Sequence, residues 1–238
     1  MVDLATQSNA TETREINVDI DNPLVSYVPK TKPNNSVVSG ESVFVNVTVT
    51  EDNFANITFT LYDSGLSVQE QDTFTDGTRQ INWTLLSEGI YYYDVKVTDV
   101  VNRQNTTARR RITIDNSIPS VSFVLPTQND TANVSVNWTF VNVTVSVSNE
   151  ANITFRLYNA THGLLNSSVF TDATRIINFT SLVDGDYYYN VTLFDLAARN
   201  DSTETRLIRI DTVSPLITYG LGMEPNDSNV SKDWIFVN

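Results

Sequence analysis

Eighteen asparagines stand in the triplet Asn-x-Ser/Thr without proline in the middle, which is the acceptor pattern for N-linked glycosylation. With 26 asparagines, and serine plus threonine at 51 of 238 residues, about 5.6 such triplets would arise by chance. Asparagine is a poor strand former, and other polar residues would fill an outward strand face equally well. The excess therefore predicts glycans, at Asn9, Asn34, Asn46, Asn56, Asn82, Asn105, Asn129, Asn133, Asn137, Asn142, Asn152, Asn159, Asn166, Asn178, Asn190, Asn200, Asn226 and Asn229.

The triplet also has a structural explanation, because polar residues at positions i and i+2 both lie on the solvent face of a strand. Part of the excess follows from this alternation alone. In Asn46-Val47-Thr48, an inward Val47 leaves Asn46 and Thr48 together in solvent on one strand face. We expect the same geometry at Asn56, Asn82, Asn142, Asn152, Asn178 and Asn190.

Several of these acceptors follow an aromatic residue by two positions, so that the ring should share their face. These residues are Phe44, Phe54, Phe140 and Tyr188. A ring at such a position would stack on the first sugar and cover its own apolar surface. The alternative, which the sequence leaves open, is that Phe44, Phe140 and Phe236 pack against a neighbouring domain or chain.

A repeat of 96 residues organises the chain. The segment Phe44-Val45-Asn46-Val47-Thr48 returns as Phe140-Val141-Asn142-Val143-Thr144, and 36 of the 76 positions from 44 to 119 match those 96 residues later. Segments at both ends match interior segments at the same spacing, so we expect a window from a longer array. The predicted domains are the C-terminal part of a preceding repeat at 1–19, complete repeats at 20–115 and 116–211, and the N-terminal part of a following repeat at 212–238.

Apolar and polar residues alternate through nearly every segment, which is typical of half-buried strands. Val43, Val45, Val47 and Val49, for example, alternate with polar or outward-facing residues. About seven short strands fit into each period, and no helical pattern is present. This predicts an all-β fold of tandem immunoglobulin-like β-sandwich domains with seven strands each.

A local motif supports this fold. The segment Leu86-Ser87-Glu88-Gly89-Ile90-Tyr91 recurs as Leu182-Val183-Asp184-Gly185-Asp186-Tyr187. It resembles the tyrosine corner of fibronectin type III and related sandwiches, in which the tyrosine hydroxyl bonds to the backbone just upstream. The whole chain resembles the tandem immunoglobulin-like, fibronectin III-like repeats of prokaryotic and especially archaeal surface proteins. The resemblance implies structural roles for Tyr91 and Tyr187.

Composition disfavours several functional classes. Cysteine is absent, which excludes disulfides, a thiol nucleophile and thiolate metal sites. His162 is the one histidine, and the net charge of -13 disfavours nucleic acid or an anionic membrane as a partner. No apolar run approaches the ~20 residues of a membrane helix. Phosphate loops and metalloprotease or Ser-His-Asp motifs are also absent, so we expect no enzyme activity and no cofactor.

The charged residues have structural interpretations. Asp99, Arg103 and Arg110 recur as Asp195, Arg199 and Arg206, which predicts an Asp–Arg pair bracing the last hairpin. Asp76 and Arg79, repeated as Asp172 and Arg175, predict a turn with a local ion pair.

Calcium is the open alternative to a metal-free chain, with Asp19, Asp21, Glu51 and Asp52 as its ligands. The equivalents of Glu51 and Asp52 in the second repeat are Val147 and Ser148, which excludes a site common to both repeats.

These patterns predict a structural extracellular protein, namely an N-glycosylated rod, fibre, stalk or sheath at the cell surface. The expected partners are neighbouring repeats of the same chain and laterally associated copies. Dense acceptor triplets without cysteine favour an archaeal over a eukaryotic surface.

The sequence leaves two other functions open. An adhesin would bind its partner through loops or an edge strand, and residues 63–73 and 159–169 differ most between the repeats. An accessory module of a surface enzyme would need a catalytic domain elsewhere.

Overall fold

The computed structural model describes residues 9–237, which form eighteen strands and no helix. The chain divides into two compact units, the first on residues up to Ile118 and the second from Pro119 onward, with Asp195–Arg199 grouped with the first. Of the predicted terminal fragments, residues 1–8 and 238 lie outside the described residues. The described remainder of these fragments, residues 9–19 and 212–237, contains no strand.

The first unit is built from two sheets. A three-stranded sheet has the order β1-β3-β6, and a six-stranded sheet has the order β2-β9-β7-β4-β5, with β8 paired to β7. Strands β2 and β9 run parallel, whereas the other pairs for which the register is defined are antiparallel. The bounds are β1 Leu24–Tyr27, β2 Ser36–Val38, β3 Val43–Thr50, β4 Phe54–Tyr62, β5 Val68–Phe74, β6 Gln80–Trp83, β7 Gly89–Asp99, β8 Gln104–Thr106 and β9 Arg110–Ile114.

The second unit has the same topology. Its sheets have the orders β10-β12-β15 and β11-β18-β16-β13-β14, with β17 paired to β16. Each strand begins 96 positions after its counterpart, as Ser120 does after Leu24. The bounds are β10 Ser120–Phe123, β11 Ala132–Val134, β12 Thr139–Ser146, β13 Glu150–Asn159, β14 Leu164–Phe170, β15 Ile176–Phe179, β16 Gly185–Asp195, β17 Asn200–Ser202 and β18 Arg206–Ile210.

Alternation along the strands produces a core between the two sheets of each unit. In β3 the side chains of Val43, Val45 and Val47 are buried, and they pack with residues of β4 and β7 such as Phe59 and Val95. The second core repeats this arrangement around Val141, Val143, Phe155 and Val191. Apolar residues at every second position of facing sheets are what a β-sandwich requires.

The predicted all-β immunoglobulin-like fold is therefore confirmed, but the number of strands per domain differs from the expected seven. The described residues form nine strands in each unit. The difference comes from three-residue strands, β2 and β8 in the first unit and β11 and β17 in the second. Three residues are too few to show a period of two, so these strands give no alternation signal.

Candidate functional site

None of the eighteen predicted acceptor asparagines is buried, and all of them lie within the described residues. Eleven are exposed and seven are half-buried. Twelve lie in strands, and six lie in loops or in segments outside the strands. A glycan needs its acceptor at the surface, and the eleven exposed positions meet that requirement.

Four acceptors lie on the outer faces of the three-stranded sheets. They are Asn46, Asn82, Asn142 and Asn178. In each triplet the middle residue is buried and the following threonine is exposed. The predicted geometry, with asparagine and threonine together in solvent, is therefore observed at these four sites.

Each three-stranded sheet also places a phenylalanine next to two acceptors. In the first unit Phe44 lies directly opposite Asn82 across β3 and β6, and it is two residues from Asn46 along its own strand. In the second unit Phe140 lies opposite Asn178 in the same way. Both phenylalanines are half-buried. One ring thus has a potential glycan on each of two neighbouring strands.

The acceptors of the six-stranded sheets differ from this prediction. At Asn56, Asn152 and Asn190 the asparagine is half-buried, but the threonine two positions later is buried rather than solvent-exposed. The hydroxyls are also engaged within the sheet. For example, Thr192 accepts a hydrogen bond from the Arg156 guanidinium at 2.8 Å. These strands are central, so side chains of neighbouring strands cover the threonine.

Two of the four aromatic residues expected to face a sugar already have another partner. Phe54 lies under the Arg79 guanidinium at 4.2 Å, and a bulge between Phe54 and Asn56 interrupts the alternation on which the prediction depended. Tyr188 stacks on the ring of His162 at 4.1 Å. Stacking on a sugar therefore remains a prediction chiefly for Phe44 and Phe140.

The side-chain amides of several acceptors are held by hydrogen bonds. The Nδ2 of Asn142 donates to the Leu125 carbonyl at 3.0 Å, and the Nδ2 of Asn105 donates to the Pro23 carbonyl at 2.9 Å. A glycosylated amide nitrogen keeps one hydrogen, so one such bond is compatible with modification. Asn159 instead uses its Oδ1, which accepts from the amide of Gly163 at 2.7 Å and shapes the turn.

The tyrosine motif has the geometry of a tyrosine corner in both units. The Tyr91 hydroxyl donates to the Ser87 carbonyl at 2.9 Å, and the Tyr187 hydroxyl donates to the Val183 carbonyl at 3.0 Å. Gly89, two residues before Tyr91, has φ = 155°, a conformation that favours glycine. The motif therefore fastens the start of β7 and of β16 to the preceding loop.

The Asp–Arg pair predicted for the last hairpin is not formed. The Asp99 carboxylate accepts instead from the backbone amides of Val101 and Arg103, at 2.9 and 2.8 Å. These amides are two and four residues away, so they reach the carboxylate without ordering a long side chain. No salt bridge among the described residues includes Asp99 or Asp195.

Arg110 has a different role, which the sequence did not predict. Its guanidinium lies over the Tyr27 ring at 4.1 Å and donates to the Lys32 carbonyl at 2.8 Å, and the Tyr93 hydroxyl donates to the same carbonyl at 3.1 Å. Burial raises the pKa of Tyr93. The second unit repeats this network with Arg206, Phe123, Gln128 and Tyr189. There burial raises the pKa of Tyr189 to about 12.

The local ion pair predicted between Asp76 and Arg79 is also replaced by other contacts. The Asp76 carboxylate accepts from the Thr78 amide at 3.0 Å, and hydrogen bonds from Thr78 lower the pKa of Asp76. In the second unit Arg175 pairs with Glu150, 3.0 Å from Nη1 to Oε1. Glu150 occupies the position of Phe54, so the arginine has an ion pair in one unit and an aromatic ring in the other.

Three carboxylates of the first unit lie close together. Asp19, Glu51 and Asp99 each offer an oxygen within 4.8 Å of the other two. Two of these residues, Asp19 and Glu51, are among the calcium ligands suggested by the sequence. Within residues 9–237, Asp99 joins the group, and the other two suggested ligands, Asp21 and Asp52, are not part of it. Asp99 is distant in sequence from Asp19 and Glu51, and no local pattern links the three residues, so the sequence does not predict that Asp99 lies here.

No family model and no curated protein matches the chain. Among solved structures, a marsupial T cell receptor matches with a TM-score of 0.50 and 10% identity over 85% of this chain and 78% of that chain. The fibronectin(III)-like modules of Clostridium thermocellum CbhA match with a TM-score of 0.47 and 15% identity, over 79% of this chain and 94% of that chain. A structure from a 1.5-MDa bacterial ice-binding adhesin matches with a TM-score of 0.37 and 18% identity, over 82% of this chain and 67% of that chain. Of these three matches only the T cell receptor reaches a TM-score of 0.5, and at 10% identity it shows the fold alone, that of immunoglobulin-like β-sandwich domains.

Within the described residues, no helix has the length and apolar character needed to cross a membrane.

Proposed function

We propose that this chain is part of an extracellular structural protein, in which tandem immunoglobulin-like repeats form an N-glycosylated rod, fibre, stalk or sheath. The observation that carries this proposal is the position of the acceptors: none of the eighteen is buried, eleven are exposed, and twelve lie within strands. Alternation explains why these side chains are polar, but not why asparagine is chosen so often over better strand formers. The proposed setting is a cell surface, with an archaeal source favoured by the lack of cysteine.

The proposed mechanism is steric, and the topology supports it. Four acceptors lie on strands at the edges of their sheets: Asn82 on β6, Asn133 on β11, Asn166 on β14 and Asn178 on β15. An exposed edge is a template for pairing with another chain, and a bulky hydrophilic group on the edge strand prevents this. Glycans at these sites would keep a tandem array soluble and would shield its backbone from proteases.

Glycopeptide mass spectrometry of the protein from its natural source tests the proposal. We expect hexose-containing mass additions at Asn46, Asn82, Asn142 and Asn178. Asn53 and Asn149, which lack the triplet, serve as internal controls and should stay unmodified. Unmodified amides at all four sites in native material would contradict the proposal.

The second candidate function is adhesion through an edge strand. Strand β14 exposes Leu164, Leu165 and Val169, with more than half of each residue accessible to solvent. A partner peptide could add to this edge as a further strand. Electron microscopy of native filaments separates the two functions, because structural repeats form the continuous wall whereas adhesive repeats are displayed at a tip.

A further inference from the structure

We propose that the first unit binds one calcium ion through the carboxylates of Asp19, Glu51 and Asp99. Each contributes an oxygen within 4.8 Å of the other two. Calcium binds oxygen ligands at roughly 2.3–2.6 Å, so two ligands of one ion are at most about 5 Å apart. The separations are therefore within the range that a single ion can span. This site does not depend on glycosylation.

The second observation is an unsatisfied oxygen of Asp99, which differs from its counterpart Asp195 in having two further carboxylates beside it. The residue is 1% exposed, and its Oδ2 is buried without a hydrogen-bond partner. Its Oδ1 accepts from the amides of Val101 and Arg103, which fix the orientation of the carboxylate. A buried charged oxygen without a partner is costly, and a cation shared with two further carboxylates would satisfy it.

The other two carboxylates are oriented by local turns. The Oε1 of Glu51 accepts from the Asn53 amide at 2.8 Å. The Oδ1 of Asp19 accepts from the Asp21 amide at 3.2 Å, and the Oδ2 of Asp19 accepts from the Asn53 side chain at 3.0 Å. Three converging carboxylates repel one another unless a cation lies between them.

No side chain of the described residues supplies that cation through a salt bridge. None of the ion pairs in residues 9–237 includes Asp19, Glu51 or Asp99. Arg103 is the neighbouring cation, and its guanidinium donates to the Ile20 carbonyl. Hard oxygen ligands without nitrogen or sulfur favour calcium over a transition metal.

The second repeat provides a natural comparison. The position of Asp99 is kept there as Asp195, whose Oδ2 is also buried without a partner. The position of Glu51, however, is Val147. The second repeat therefore lacks one of the three carboxylates, and we expect one ion per chain.

Calcium titration of the full 238-residue chain, after treatment with a chelator, tests this assignment. Isothermal calorimetry should give one saturable site per chain, with Kd near 10⁻⁴–10⁻³ M as in other extracellular modules. Saturating calcium should raise the Tm of the first unit by about 5 °C. No saturable binding up to about 10 mM calcium, well above that Kd range, or two equivalent ions per chain, would overturn the proposal.

Two variants that copy residues of the second repeat identify the ligands. Glu51→Val introduces the residue that the second repeat tolerates at this position, and it should raise Kd at least about tenfold. The matched control is Asp52→Ser, which also copies the second repeat and removes one negative charge, but from outside the cluster. It should change Kd by less than about twofold. Equal effects of the two variants would show a general charge effect and overturn the assignment.

Discussion

The Nδ2 of Asn190 donates to Thr205 Oγ1 at 3.0 Å, at the two positions where the first unit pairs Asp94 with Arg109 at 2.9 Å. The two units thus fill the same space with a neutral hydrogen bond in one case and an ion pair in the other. In the first unit the guanidinium also lies over Tyr62 at 4.0 Å. Both units thus keep a side-chain contact between the long strand, β7 or β16, and the residue just before the next paired strand, β9 or β18. Asparagine in place of aspartate also creates the acceptor triplet at Asn190, which the first unit lacks.

The acceptors should fall into two kinetic classes. At Asn56, Asn152 and Asn190 the triplet threonine is buried in a central strand, so the transferase reaches it only before the sheet forms. If folded, unmodified chain is treated with an oligosaccharyltransferase and a lipid-linked donor, occupancy at these sites should be at least about tenfold below that of Asn82 and Asn178, measured by glycopeptide mass spectrometry.

The control for this prediction is the same chain unfolded in a denaturant that the transferase tolerates, or supplied as separate peptides. There the two classes should be modified at similar rates. Similar rates in the folded chain would mean that burial of the threonine does not limit modification.

Unglycosylated chain should self-associate through β14. This edge strand exposes Leu165 and Val169 around Asn166 and carries no charged residue, whereas β5 has Glu70 and Asp72. Charged side chains on an edge prevent strand pairing, so Leu165→Lys with Val169→Lys should lower the dimer fraction at least about threefold. Sedimentation velocity experiments measure this fraction.

The matched control is Gln69→Lys with Thr73→Lys, at the equivalent positions of β5. It adds the same charge to an edge that is already protected, so the dimer fraction should stay nearly unchanged. Equal loss of association in both variants would assign the effect to net charge rather than to the β14 edge.

Trp83 and Asp72 should be energetically coupled. The indole Nε1 of Trp83 donates to Asp72 Oδ2 at 3.1 Å, and the second unit has Phe179 and Ser168 at these positions. Trp83→Phe loses packing and leaves Asp72 without its donor, at a cost of ~2–3 kcal/mol in the free energy of unfolding. The double variant with Asp72→Ser should cost ~1 kcal/mol less than the sum of the single changes, measured by urea unfolding.

Glu70→Ser is the control for this cycle, because it removes an exposed carboxylate from the same strand. Its change in the free energy of unfolding should add to that of Trp83→Phe without a coupling energy. A coupling energy of zero between Trp83 and Asp72 would show that the indole bond contributes nothing.

The second unit should lose stability between about pH 10 and pH 12, because burial raises the pKa of Tyr189 to about 12 from an ordinary value of 10.0. In this interval the unfolded chain releases the phenolic proton while the folded chain retains it, so rising pH favours unfolding. The stability that the protonated Tyr189 hydroxyl contributes is complete below the pKa of the unfolded chain, and it is lost as pH rises through the pKa of the folded chain.

Tyr189→Phe should flatten this part of the stability profile. Denaturant unfolding at a series of pH values measures the profile. It also removes the hydrogen bond to the Gln128 carbonyl, which lowers stability by a constant amount while the Tyr189 hydroxyl stays protonated in the folded chain, so this loss is separable from the slope below about pH 12. An unchanged slope in Tyr189→Phe would contradict the assignment.

Local residue patterns were sufficient to predict much of this protein. Alternation predicted strands and an inward Val47, since side chains on a strand must point to opposite faces. The motif ending at Tyr91 predicted a hydroxyl bond to the backbone just upstream, because a turn brings that carbonyl close. The solvent-facing position of Asn46, Asn82, Asn142 and Asn178 followed from the same period of two.

Only the tertiary structure decided what covers each outward face and which distant groups meet. It buried Thr58, Thr154 and Thr192, because central strands have neighbours on both sides whose side chains lie over them. It also brought Asp99 to Glu51 and Asp19 across long stretches of chain. Such contacts depend on sheet order and loop positions, and these arise from packing of the whole unit rather than from any local pattern.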